Sequence, residues 1–176
     1  MKKQFDSFFK KHKRKAHFLF RFGLSFGAGF TLSVLFTEFA FFREKIVELG
    51  IVDFLIRNLL IQTNIFLEQF GFDTVITGNT ITTSGLPGIK YVFGCTGIRE
   101  MAFFLGFMLT YPGKLLSKLW YIPLGFIALM TLNSFRGSML LVTQLCCWKY
   151  FEFTHQSLTA LLLYSGILFL WIFWYA

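Results

Sequence analysis

MKKQFDSFFKKHKRKAHFLFRFGLSFGAGFTLSVLFTEFAFF, residues 1–42, sets a crowd of basic side chains directly against a long apolar run. Lys2, Lys3, Lys10, Lys11, Lys13, Arg14 and Lys15 are opposed there by a single acid, Asp6. From His17 to Phe42 the run is interrupted mainly by Arg21, near its start, and Glu38, near its end. Roughly 20 apolar residues cross a bilayer core, so residues 17–42 read as a first, tilted span, with Arg21 snorkelling to the headgroups. Basic residues flanking a span stay on the cytoplasmic side, and this head can also rest on anionic lipid. The run is too long for the core of a signal peptide, and no small-x-small cleavage pattern follows it, so it reads as a retained anchor.

The whole composition agrees. Of the 176 residues 55% are hydrophobic and 26 are Phe, and the mean hydropathy is +0.61. A soluble domain of this size has too little interior for so much aromatic surface, whereas a bilayer absorbs it. The length suits one domain, so a basic cytoplasmic segment, 1–16, is expected to precede a single transmembrane domain, 17–176. The formal charge of +8 is concentrated in the head, which removes the reason to invoke nucleic acid as a partner. Cys95, Cys146 and Cys147 are an odd set with an adjacent pair, which is no disulfide framework. No CxxC pair, His cluster, P-loop, GxGxxG, HExxH or paired-carboxylate pattern occurs, so neither a metal nor a cofactor is expected.

Beyond the first span, Ile51, Phe54, Leu55, Asn58, Leu59, Gln62 and Phe66 recur at helical spacing, broken by Asp53, Arg57 and Glu68. That pattern reads as an amphipathic helix lying at the interface. Thr74–Thr82 alternates around Gly78-Asn79, the signature of a short β-hairpin outside the membrane. A loop through Gly85, Pro87 and Gly88 follows, with Ser84 at its start. A short second span is expected over 98–111, then a basic loop with Lys114 and Lys118. A third span is expected over 119–135, entered by the interfacial aromatics Trp120 and Tyr121, and a last one over 157–175. With the head inside, these spans close with the C-terminus also cytoplasmic. An extra crossing at 137–150 would break that closure, so a re-entrant or interfacial piece is preferred there. The expected fold class is an all-α integral membrane protein with about four transmembrane helices, an interfacial amphipathic helix and a short extracytoplasmic β-hairpin.

This topology brings Cys95, Arg136 and His155 to the outer membrane surface. Cys95 lies just before an apolar helix, whose N-terminal partial charge favours a thiolate, and Arg99 one turn on adds to the effect. The plain alternative is an inert buried thiol. Arg136, at the end of a span, can stabilise an oxyanion or hold a carboxylate, or simply anchor the helix in headgroups. His155 can take a proton from a thiol and return it to a leaving amine, or be an ordinary polar residue at a helix start. His12 and His17 belong to the cytoplasmic side. Cys146 and Cys147 read as packing residues, and Arg99 and Glu100 as partners of each other or of lipid.

Gly94-Cys95-Thr96-Gly97-Ile98, Leu132-Asn133-Ser134-Phe135-Arg136 and the later His155 resemble the motifs of the exosortase/archaeosortase family: Cys-x-Gly, Asn-x-x-Arg and a downstream His, in that order. The resemblance covers roughly residues 85–160 and is to a compact, single-core member such as the F type. It implies a cysteine protease or transpeptidase of the cytoplasmic (inner) membrane, with its active site on the extracytoplasmic side. Its partners would be exported proteins bearing a C-terminal sorting tail, membrane lipid, and a lipid or surface acceptor. Cys95 would be the nucleophile, His155 the general acid/base and Arg136 the electrostatic stabiliser, supported by Asn133, Thr96 and Gly97. Two positions depart from the family pattern: Gly137 stands where an aliphatic residue usually follows the arginine, and Arg99-Glu100 is unusually charged. The competing class is a non-catalytic transporter or assembly subunit that binds an anionic lipid or solute through Arg136.

Overall fold

The computed structural model describes residues 2–83 and 88–175, with side chains from residue 17 onward. The expected loop residues Ser84, Gly85 and Pro87 and the side chains of the basic head lie outside these. Helix α1 runs from Lys2 to Glu38, without a break at residue 16, and α2 covers Ala40–Glu48. The expected first span is therefore divided at Phe39, whose extended backbone (φ −81°, ψ 119°) turns the chain. Gly50, at φ 69°, makes the next turn into α3, Ile51–Gln69. This left-handed conformation favours glycine, which has no Cβ to clash.

Strands β1 (Thr74–Thr77) and β2 (Thr80–Thr83) form the expected hairpin around Gly78-Asn79. Thr77 pairs with Thr80 and Thr74 with Thr83, while Gly78 takes a φ of 58°. A third strand, β3 (Ile89–Lys90), pairs antiparallel with β2. A 3-10 turn, Phe93–Cys95, leads into α4, Ile98–Thr110. Then come α5 (Leu115–Cys146), a 3-10 turn (Trp148–Tyr150), the single-turn α6 (Phe151–Phe153), a π turn (Thr154–Leu158) and α7 (Thr159–Tyr175).

Among the described residues three helices are long and apolar enough to cross a membrane: His17–Glu38, Leu115–Cys146 and the helical run Trp148–Tyr175. Their outer faces carry Phe20, Leu24, Leu119, Trp120, Phe169 and Phe173, all well exposed. That is the surface a hydrocarbon environment accepts. The stretch expected as the second span forms α4, but its 13 residues reach only about 20 Å against a hydrocarbon core of about 30 Å. It packs between α1, α5 and α7.

The segment 137–146 forms no separate re-entrant piece, for it continues α5 without interruption. The polar residues that read as the end of a span form an inward-facing patch instead. Asn133, Ser134, Gly137 and Ser138 are all buried. Ser134 and Ser138 return their hydroxyl protons to the carbonyls of Met130 and Ser134, at 3.0 and 3.1 Å, so these groups are satisfied within the helix. A helix of 32 residues is about 48 Å long, so its last turns extend past a hydrocarbon core.

Helix α3 also differs in detail from its expected face. Val52, Leu55, Ile56, Leu59, Leu60, Thr63 and Leu67 are buried, while Ile51 and Phe54 are exposed. The helix is apolar on more than one side, and its packing on α5 selects the side that is buried. Lys118, expected in a basic loop, is buried in α5 and donates to the carbonyls of Leu109 and Tyr111, at 3.0 and 2.6 Å. It thereby supplies donors to the C-terminal end of α4, whose last carbonyls have no partner within the helix.

Helices α1 and α4 make the most intimate contact. A Cβ built on Gly29 would lie 2.6 Å from the Phe103 carbonyl oxygen, and one on Gly106 would lie 2.9 Å from that of Ala28. Small residues at such crossings let two backbones meet where no hydrophobic drive separates helix from lipid. Gly29→Val is expected to destabilise the fold by about 1–3 kcal/mol through overpacking. In detergent its thermal midpoint should fall, whereas Gly23→Val, at a position with nothing within 4 Å, should melt like the parent chain.

Candidate functional site

One face of α5 seats the segment that carries Cys95. The Asn133 side-chain amide donates to the Cys95 carbonyl at 2.7 Å. Gly97 has a φ of 77°, and a Cβ there would sit 3.2 Å from Asn133 Nδ2. Two constraints therefore act on position 97, a left-handed backbone and the proximity of an amide, and both favour glycine. Thr96 is fully buried. Its hydroxyl donates to the Phe93 carbonyl at 2.7 Å and accepts from the Ile98 amide at 3.4 Å. The Thr96 side chain thus closes the Cys95 turn and partners the first amide of α4, which has no intrahelical acceptor.

Gly137, one helical turn beyond Asn133, receives the Tyr91 hydroxyl so closely that a side chain at 137 has no room. Tyr91 is buried, and its hydroxyl lies 2.8 Å from Thr63 Oγ1 on α3. Burial pushes its phenol up to about 12 from the ordinary 10; the Thr63 hydrogen bond opposes this, neighbouring Cys95 raises it further, and Arg136 lowers it. Cys95 and Arg136 therefore both lie within electrostatic reach of one hydroxyl.

A cleft of about 440 Å³ opens beside this seat. Arg136 and His155 both line it, together with Glu38, Arg43, Arg99 and Glu100. The end of α1 and the body of α5 thus meet the start of α4 and the last helical run. Phe93, Gly94 and Ile98 form part of the wall. Cys95 itself is half-buried next to that wall and is not among the lining residues. Arg136 is half-buried, and its Nε has no hydrogen-bond partner among the described residues. A buried guanidinium proton without an acceptor is costly.

His155 is exposed in the π turn and stacks on Phe151, with ring centroids 6.1 Å apart. π turns are rare interruptions of α-helices and are frequent at functional sites. Beside it, Gln156 donates to Glu152 at 2.8 Å.

Two expected pairings are corrected. Arg99 bonds to Glu38, at the end of α1, at 2.8 Å, and not to Glu100. Its charge is thus shared with a carboxylate on another helix. Cys146 and Cys147 are exposed at the end of α5 and do not pack in the interior. Tyr91, Thr63 and Arg43 were not picked out by sequence reasoning as parts of the site. Arg43 lies 5.2 Å from the centroid of the Phe93 ring, two residues before Cys95. The one available signal for Tyr91 was Gly137, a residue without a side chain beside a motif arginine inside a helix. Among the described residues no three His, Cys, Asp or Glu gather closely enough to hold a metal ion.

The chain matches no family model, no curated protein and no solved structure.

Asn133→Leu keeps the branched heavy-atom outline but leaves the Cys95 carbonyl without its donor, and should cost about 1–3 kcal/mol. Faster proteolysis of the 91–97 segment and an earlier thermal midpoint would register that loss. A second expectation concerns alkali. An unfolded Tyr loses its proton near pH 10, whereas Tyr91 holds its own to about 12, so the fold weakens as pH rises through that interval. Tyr91→Phe removes this contribution. The fall in stability between about pH 10 and 12 should be shallower in that variant, read by denaturation at a series of pH values.

Proposed function

We propose that the chain is a membrane-embedded cysteine protease or transpeptidase of the exosortase/archaeosortase type. In this reading it cleaves the C-terminal sorting tail of exported proteins at the outer face of the cytoplasmic membrane. The observation that carries the proposal is the cleft shared by Arg136 and His155 beside a cysteine turn held by Asn133. Three sequence-distant motifs supply one chemically coherent site.

The chemistry follows from the groups present. Cys95 Sγ attacks the scissile carbonyl carbon, a C–S bond forms, and the thiol proton passes to the His155 imidazole. The carbonyl oxygen becomes an oxyanion, and the Arg136 guanidinium donates to it. As the intermediate collapses, the C–N bond breaks and His155 returns the proton to the departing amine. A thioester remains on Cys95. Water, or an amine on a lipid or surface acceptor, then attacks the thioester, gives its proton to His155, and the thiol is released. Asn133 acts indirectly, by fixing the backbone of the nucleophile's turn.

In the four-pass topology α4 is a short crossing, the N- and C-termini are cytoplasmic and the cleft faces outward. A tail anchored by its own helix would reach this cleft by diffusion in the membrane plane, which confines both reactants to a similar depth. α3 and the three-stranded sheet form the cover on that side. A second reading has one specific observation in its favour. The unpartnered Arg136 Nε suits the phosphate or carboxylate of an anionic lipid or solute as well as an oxyanion, as in a non-catalytic transporter or assembly subunit.

Co-expression with a tail-bearing reporter separates the two. The wild-type chain should remove the tail and Cys95→Ser should leave it intact. His155→Ala should slow processing by about 10²–10⁴-fold, and Arg136→Ala by about 10²–10³-fold. Equal processing by wild type and Cys95→Ser would end the cysteine mechanism.

A further inference from the structure

Tyr91 joins more of the molecule than any other residue near the proposed nucleophile. Its amide donates to the Asn79 carbonyl at 2.8 Å, continuing the pairing of β3 into the hairpin turn. Its hydroxyl meets Thr63 Oγ1 on α3, and Thr63 in turn donates to the Ser134 carbonyl on α5 at 3.3 Å. With the Thr63 proton directed to Ser134, the Tyr91 hydroxyl is the donor to Thr63. The same hydroxyl fills the space above Gly137. Asn133 and Gly137 are four residues apart and so lie on one face of α5. The chain from 91 to 97 is thus pinned to that face twice, by Tyr91 on Gly137 and by the Cys95 carbonyl on Asn133. Arg136 lies between the two pins in sequence.

We infer that Tyr91 is a positioning residue, which clamps the Cys95 turn to α5 and thereby holds the thiol in register with Arg136. The inference rests on the cysteine chemistry proposed above for its purpose, but not for its test. It gives the outer sheet a role in the site. Anything that pulls on β3 is transmitted through Tyr91 to the spacing between thiol and guanidinium.

The test uses the full chain carrying C146S and C147S, so that Cys95 is the single thiol. Its rate of alkylation by iodoacetamide is followed from about pH 6 to 10 in Y91F, T63V, G137A and the Y91F/T63V pair. The charged or titratable groups around the thiol are Arg136 on α5, Tyr91 itself, Arg43 on α2, Glu38 on α1, Arg99 and Glu100 on α4, and His155 in the π turn. T63V and G137A alter none of them. A changed pH profile in those two variants therefore reports geometry.

A thiolate that loses a neighbouring cation becomes harder to form, so each variant should move the alkylation midpoint upward by about half a pH unit or more. Y91F/T63V should move it no further than T63V alone, because T63V already removes the Tyr91–Thr63 bond together with the Thr63–Ser134 bond. A midpoint that is unchanged or lowered in Y91F and T63V overturns the clamp, even if those chains melt earlier, since Tyr91 would then serve stability alone. No substrate is needed. A wild-type chain that leaves the reporter tail intact while the variants shift the midpoint would count against the protease reading for that tail and keep the clamp. Tail removal with unshifted midpoints would do the reverse.

Discussion

The amide of Asn133 reaching the carbonyl of Cys95 is the contact on which the cleft end of the molecule is organised. It joins the middle of α5 to a turn 38 residues earlier in the chain, in an interior where an unmatched amide or carbonyl would be costly. Once that bond is set, Gly97 has to be small, Thr96 is buried beneath the turn, and α4 starts where it does. The polar patch Asn133, Ser134, Gly137 and Ser138 is unusual inside a helix otherwise made for a bilayer. It persists because every hydroxyl and amide in it has a specified partner, on α3, on the 91–97 segment, or on its own helix.

The other end of the bundle solves a different difficulty. α4 is too short to carry its C-terminal carbonyls out of a hydrocarbon core. Lys118 meets two carbonyls there, those of Leu109 and Tyr111, and the Tyr121 hydroxyl donates to the Leu170 carbonyl at 2.5 Å. The short helix is therefore held at both termini by polar groups from α5: Asn133 through the Cys95 turn at one end and Lys118 at the other. The glycines that bring α4 against α1 then fix its lateral position. Helix α5 acts as the frame, and α4 is suspended along it.

Much of this was legible in the residues. The long apolar stretches announced the membrane character. Gly78-Asn79 announced the hairpin to the residue, because a two-residue turn needs a positive φ at a small residue. Arg136 and His155 line one cleft, two polar residues that charge bias and hydropathy had set at the ends of different spans. What escaped has physical reasons. β3 is two residues long, too short for any alternation to register. Phe39 breaks α1 with neither Gly nor Pro to signal it. Asn133 to Ser138 read as the edge of a membrane because polarity in a single sequence cannot tell water from a buried partner. For the same reason Lys118 read as a loop cation, and nothing in the residues singled out Thr63.

The π turn that carries His155 can be viewed as a problem of helical phase. Thr159, Leu163 and Ile167 are buried at intervals of four residues along α7, but the preceding buried residue, Thr154, lies five back. That one additional residue lets the inward stripe continue while the chain before it is rotated by about 100° relative to a regular helix. The stretch from Trp148 to His155 is thus aimed independently of the span it leads into. Removing any one residue between Gln156 and Leu158 would restore an unbroken α-helix, keep every apolar residue of α7 in place, and turn the imidazole away from the cleft. The facing of this histidine is encoded as a count of residues, and composition alone does not determine it.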